Sequence, residues 1–338
     1  MTSHALQTRR SILKASVALT FAPATAWMTA AHAQAYPSGP VSMMVPYPAG
    51  GPSDLSARIL SGPIGDSLGA RVVVENLGGA TGTIAASKVL NAKADGGIFF
   101  QGSQNELILP PLTNRAVRYQ PDAFESLQPI TVTHLVLLVR TGLPVDSMDA
   151  FLKLAAQRDA STSLTYGTVG VGSLYHLITE YLGKTVKVPF THVPYTGTAP
   201  VIQDLSGGQI DFSIMPFQAS MLEMIKGGRF KAIAVLSRNK PAVLAQVPSI
   251  TETPALANFE YASYAGYYVK KGTPDTVKQA LNKAIGHALE DKTVIAKLEA
   301  DGRNVSPRMS LEEAAAAYAT QIAKYKEMIR VTGYSQAG

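Results

Sequence analysis

Apolar positions along the chain alternate between two periods. Short apolar or β-branched runs at 41–45, 71–75, 97–101, 135–140, 163–166, 191–193, 209–214, 231–236 and 261–270 predict strands. Between them the apolar spacing is helical. Leu55, Ile59, Leu60, Ile64 and Leu68 predict a helix over 54–68, and Gly62-Pro63 inside it predicts a kink or a break. Further helices are predicted over 84–90 and 147–157, after 173 with Leu174, Leu177, Ile178, Tyr181 and Leu182 on one face, and from Pro200 to Gly207-Gly208. Another ends at Gly227-Gly228. The last stretch is helical at 274–288, 291–300 and 310–330, the final one opening on Ser310 with Glu313 three residues on, a capping-box pattern. Alternating strands and helices predict an α/β fold with parallel strands and helices on both faces.

The polar breaks in this pattern fall at strand-to-helix junctions. Pro46 to Asp54, Asn76 to Thr83, Gly102 to Asn105, Gly167 to Ser173 and Pro194 to Pro200 are loops of small, mostly glycine-rich composition. Ligands of open α/β sheets bind beyond the carboxyl ends of the strands, where these loops lie. Glycine lets backbone amides approach a ligand, and the first amides of a helix lack internal partners. Such loops suit a carboxylate or phosphate without any cationic side chain. The plainer role for the first loop is a tight turn with Asp54 as N-cap. The apolar runs at 135–140 and 261–270 bracket a complete α/β unit and read as two crossings between domains. Domain two is therefore expected over 137–259, and domain one over 34–136 and 260–338.

Composition narrows the picture. Of 338 residues 46% are hydrophobic and 16% charged, which describes a globular protein long enough for two domains. With no cysteine, disulfides, thiol catalysis and cysteine-ligated metals are excluded. Arg9, Arg10 and Lys14, an apolar run over 15–30 and Ala31-His32-Ala33 form an export signal over 1–33 cleaved near Ala33, and Thr8 to Lys14 fits a twin-arginine signal as well as a general secretory one. Its three cations leave with it, so the formal charge of +6 falls to +3. No basic stripe with interleaved aromatics marks a nucleic-acid partner.

Three local patterns mimic chemistry. Gly65-Asp66-Ser67-Leu68-Gly69 spells the nucleophile elbow, but a helix precedes it and a strand follows, the reverse of what an elbow needs. Gly167, Gly170 and Gly172 miss the dinucleotide fingerprint because Tyr175 stands at its closing position. His134, His176, His192 and His287 have no metal-ligand spacing, so neither metal nor cofactor is expected. An exported hydrolase using Ser67 is the alternative from another class, and a sensory ligand-binding protein is a third.

Taken together, the loops resemble the substrate-binding proteins of tripartite tricarboxylate transporters, the Bug receptor family. Val45 to Asp54 is similar to that family's V-P-F-P-A-G-G-x-x-D, with Tyr47 at the usual phenylalanine. Val73-Val74-Glu75-Asn76 with the 78–82 loop, Tyr166-Gly167-Thr168 with Gly172-Ser173 and His176-Leu177, and His192-Val193-Pro194-Tyr195 with Gly197 and Ala199-Pro200 follow in the family's order. So do Asp204-Leu205 with Gly207 to Asp211, Pro248-Ser249 and Gly272-Thr273-Pro274, whereas Asp95-Gly96-Gly97 departs from the usual D-G-Y. The resemblance implies a monomeric, non-enzymatic periplasmic receptor of two-domain, type II-like binding-protein fold. Such a receptor closes on a small organic carboxylate and serves the membrane permease subunits of a transporter. Carried over by position, the ligand contacts fall on Tyr47, Ala49, Gly50, Gly51, Ser53 and Asp54, faced by Thr168, Gly172, Ser173, His176 and Tyr195. Strand-end geometry adds Ser103, Gln104 and Asn105. Tyr47, Tyr175, Tyr195, Tyr264 and Tyr267 in the cleft segments suggest a planar aromatic dicarboxylate such as terephthalate or phthalate, with a citrate-like aliphatic acid second.

Overall fold

The structure, a computed structural model, describes residues 36–195, 197–300 and 303–334. The expected export signal lies outside them. The described chain opens with β1 (Val41–Val45), α1 (Pro52–Leu68), β2 (Val72–Asn76), α2 (Thr83–Asn91) and β3 (Ile98–Ser103). Two short helices, α3 (Gln104–Leu107) and α4 (Leu109–Thr113), lead to the long strand β4 (Phe124–Arg140). Next come α5 (Met148–Ala156), β5 (Leu164–Thr168), α6 (Leu174–Val186), β6 (Phe190–Pro194), α7 (Thr198–Gly207), β7 (Phe212–Pro216), α8 (Met221–Lys226) and β8 (Phe230–Val235). The chain ends with β9 (Ala262–Lys270), α9 (Asp275–Glu290), α10 (Lys292–Glu299), the two-residue β10 (Asn304–Val305) and α11 (Leu311–Thr332).

The strand order is β2-β1-β3-β9-β4-β7-β5-β6, with β10 and β8 also on β4. Both βαβ units are parallel as expected: β1 with β2 and β3, and β5 with β6 and β7. The sheets are nonetheless mixed, because every strand that pairs with β4 does so antiparallel. β4 belongs to both lobes. Its residues through His134 pair with β9, and from Leu135 they pair with β7. Its first half was hidden in the sequence by polar residues and Pro129, which sits at a register shift against β9, where a ladder tolerates a missing N–H. The return crossing comes just before β9, where Tyr261 N–H still donates to Leu236 O at 2.7 Å.

α1 runs through Gly62 and Pro63 as one element, so the expected break is absent. Proline there withholds one N–H, and the helix is held by Ala57, Leu60 and Ile64, all fully buried against β1 and α9. α11 is capped as its sequence predicts, with Ser310 and Glu313 satisfying each other's backbone N–H groups. It packs on both β4 and α6, and so spans the two lobes. Its Tyr318, Tyr325 and Met328 join the core that also holds Phe100 and Tyr166.

Candidate functional site

The strands of both lobes end on a cleft of about 670 Å³. Its lining contains no charged side chain among the described residues. One wall is the start of α6: Gly172, Ser173, Leu174 and Tyr175. Ser173 caps that helix, its Oγ accepting from His176 N–H at 3.3 Å. Thr198, the first residue of α7, lies on the same side. The opposite wall carries Thr83, the first residue of α2, preceded by Ala80 and Thr81. Ala80 and Thr81 have φ of 45° and 55°, left-handed values that side chains adopt at a cost, here on the cleft wall. Tyr47 and Asn105 complete that wall.

Of the residues expected to hold ligand, Tyr47, Asn105, Gly172 and Ser173 therefore line the cleft. The others have different surroundings. Ala49 and Gly50 are exposed. The Gly50 N–H is taken by Asp54 Oδ2 at 2.8 Å, and Arg58 Nε donates to the same oxygen at 2.9 Å. Asp54, 3% exposed, thus braces its own loop instead of facing the cleft, and the Arg58 guanidinium holds its carboxyl below the ordinary range. Gly51 accepts Leu55 N–H, and Ser53 O accepts from Gln101 Nε2 at 2.7 Å. Gln104 is buried and joins α3 to β9, donating to Ser263 Oγ and accepting from Tyr264 N–H. Ser103 caps α3. The Tyr195 hydroxyl donates to Asp204 at 2.7 Å, and burial, with this bond second, pushes the phenol up to about 12.

Thr168 and His176 act one layer behind the wall. His176, expected as a ligand contact, is buried, and its Nδ1 accepts the Gly172 N–H at 3.1 Å. Thr168 Oγ1 contacts His192 Nε2 at 2.7 Å and also bonds both the N–H and the carbonyl of Gly170. Burial lowers the His176 pKa. Burial, with the His176 charge second and Glu180 opposing, holds His192 near 4. The loop thus rests on two imidazoles that favour the neutral form.

Several lining residues were missed. The 78–83 loop was visible as a glycine-rich junction, and Thr83 was legible from it. Thr198 follows from the 194–200 loop in the same way. Nothing in the sequence marks Tyr334, which reaches the cleft because α11 spans both lobes. Ser67 does meet an imidazole, His287 Nδ1 at 3.3 Å, but in the last turn of α1, and neither residue lines the cleft.

Comparison with known proteins agrees with this fold. The chain is similar to the periplasmic binding protein BugD, at 28% identity and a TM-score of 0.70 over 89% of this chain and all of that one. It is similar to Rpa4515 of R. palustris with adipate, at 27% and 0.73 over 89% and 100%. It is also similar to MatC of Rhodopseudomonas palustris with bound malate, at 26% and 0.69 over 87% and 100%. These neighbours share its two-domain binding-protein fold and are receptors, not enzymes, which removes the hydrolase alternative. Residues 56–334 match the tripartite tricarboxylate transporter family receptor, and the chain belongs to that family.

Proposed function

We propose that the protein is a periplasmic receptor that captures an organic carboxylate and delivers it, as a monomer, to the membrane permease of a tripartite tricarboxylate-type transporter. The observation that carries this is the uncharged cleft with the starts of α6 and α7 on one side and of α2 on the other. The unpartnered amides and dipole of a helix start attract an anion by roughly 0.3–1 kcal/mol when exposed and by more when partly buried. Two opposed sets suit a ligand with an anionic group at each end.

The ligand proposed first is an aromatic dicarboxylate of the terephthalate type. Three tyrosines that line the cleft, Tyr47, Tyr175 and Tyr334, support it, since each offers a flat apolar face. Tyr267 does not contribute, being buried against Met43 and Phe99. The second candidate is an aliphatic dicarboxylate, favoured by the adipate and malate complexes of similar receptors.

Calorimetric titration with benzoate, terephthalate, phthalate, adipate, malate and citrate tests both levels. Binding of at least one carboxylate is expected, with a benzene dicarboxylate tightest. If malate, adipate or citrate binds more tightly than either benzene dicarboxylate, the aromatic assignment falls. If none binds, the receptor reading falls.

A further inference from the structure

The first lobe buries one carboxyl directly behind the cleft. Glu106 is 1% exposed. Its Oε2 accepts the Ser103 N–H and the Ser103 hydroxyl, each at 2.7 Å. Its Oε1 accepts the hydroxyl of Tyr47, the residue that lines the cleft. The side chain fits because residue 82 is glycine: a Cβ there would stand 2.4 Å from Glu106 Cγ. The titratable groups that interact with Glu106 are the phenols of Tyr47, Tyr119 on the connection to β4, Tyr175 on α6 and Tyr268 on β9. No cation is among them in the described residues.

We propose that Glu106 is a positioning residue that sets, through Tyr47, whether the cleft offers a ligand a hydrogen-bond acceptor or a donor. While Glu106 is ionised, the Tyr47 proton is committed inward, and the phenol oxygen offers only lone pairs to a ligand. A hydroxyl or ammonium group suits it, and a carboxylate does not. When Glu106 Oε1 takes a proton from solvent, it donates to the Tyr47 oxygen instead. The phenol proton is then free to turn toward a ligand carboxylate. Binding a carboxylate at Tyr47 is therefore linked to uptake of one proton by Glu106. Burial pushes the Glu106 carboxyl up, which brings that uptake within reach. This rests on the carboxylate-receptor reading and adds to it a rule for the ligand's second end.

The rule is tested with paired ligands that differ only at that end: terephthalate against 4-hydroxybenzoate, and adipate against 6-hydroxyhexanoate. Calorimetry near neutral pH in two buffers of different ionisation enthalpy counts the protons exchanged. About one proton is expected to be taken up with a dicarboxylate and none with its hydroxy partner. In Glu106→Gln the Ser103 N–H and hydroxyl fix the amide oxygen on their side, so the NH₂ faces Tyr47 and frees its proton permanently. This variant is expected to bind the dicarboxylate about tenfold more tightly and without proton uptake. Tyr47→Phe keeps the ring and also loses the uptake. In the ligand-free protein, the carboxyl carbon-13 signal that disappears in Glu106→Gln is expected to titrate above the ordinary glutamate value of about 4.3, and to shift in Tyr47→Phe. A Glu106 that titrates in the ordinary range overturns the switch, and so does dicarboxylate binding without proton uptake. If neither pair binds at all, the switch falls, and the receptor reading falls with it only when benzoate, phthalate, malate and citrate also fail to bind.

Discussion

The rings of His176 and His192 lie with centroids 4.2 Å apart, and His192 stacks in turn on Tyr166 at 4.9 Å. His176 accepts a backbone N–H from the loop that starts α6, which only an unprotonated Nδ1 can do. The two imidazoles also disfavour each other's protonation. Their folded pKa values are lowered from 6.5, His192 to about 4, so the unfolded chain binds more protons through that window. Stability is thus fully present above about 6.5 and is lost as the pH falls toward 4. Urea unfolding at a series of pH values is expected to show this slope, and His192→Gln to flatten it. A stability independent of pH between those values would contradict the pairing.

Asp54 predicts a different acid window. Its carboxyl is lowered from 3.8, first by the Arg58 hydrogen bond, so its contribution is present above that value and is lost below it. Asp54→Ala removes the charge-assisted hydrogen bonds that the carboxylate accepts from Gly50 N–H and Arg58 and is expected to cost about 1–3 kcal/mol of stability. Because the side chain braces the loop and does not line the cleft, carboxylate affinity is expected to stay within about threefold. Thermal unfolding and calorimetry on the same variant separate the two effects. A large loss of affinity with little loss of stability would return Asp54 to the ligand.

Most strands, most helices and every glycine-rich junction were legible because apolar period and glycine punctuation are local signals. What the junctions do was only partly legible. The family motif around Asp54 looks like a ligand loop, but one oxygen of its acid, Oδ2, is taken by Gly50 and Arg58. His176 reads as a ligand contact in the family motif, whereas it is buried, its ring packed against His192, which arrives on β6. Glu106 gave no signal: a glutamate three residues after Ser103 reads as a capping box, which it also is. Its contact with Tyr47 spans 59 residues, and no local pattern reports it. The first half of β4 was lost to Pro129 for the opposite reason, since the local rule was obeyed and the ladder adjusted to it.

Gly82 joins the second loop to the buried carboxyl. Its φ is +83°, and a Cβ would meet both Glu106 Cγ at 2.4 Å and Pro46 Cβ at 2.9 Å. Gly82→Ala therefore combines a strained backbone with overpacking and is expected to lower stability by about 2–4 kcal/mol. Moving Glu106 also moves Tyr47, so dicarboxylate affinity should fall even under conditions where the variant is fully folded. Gly39→Ala is the control, because a Cβ there meets nothing within 4 Å and it should unfold like the parent.

The crossing of β4 falls between two adjacent residues: His134 is the last to pair with β9, and Leu135 pairs with β7. The imidazole of His134 holds the neighbouring segments together, with Nδ1 2.6 Å from Ser237 Oγ and Nε2 2.9 Å from Asn304 Nδ2. Asn304 Nδ2 can only donate, so Nε2 accepts and Nδ1 carries the proton to Ser237. Burial lowers this histidine's pKa as well, which keeps the bridge in its neutral form. Closure of two lobes about such a point is the expected motion of a receptor, with the backbone change confined to a few residues at element ends. X-ray scattering is expected to show a smaller radius of gyration when a tight-binding carboxylate is added, and an unchanged radius would count against a hinge here. His134→Leu keeps the bulk but leaves Ser237 and Asn304 without their partner, at an expected cost of about 1–3 kcal/mol in stability. Since the imidazole ties the β4 crossing to the segment after β8 and to β10, the same variant is expected to scatter as a more open particle without ligand and still to compact with it. If it unfolds no more easily than the parent, His134 merely fills space between the lobes.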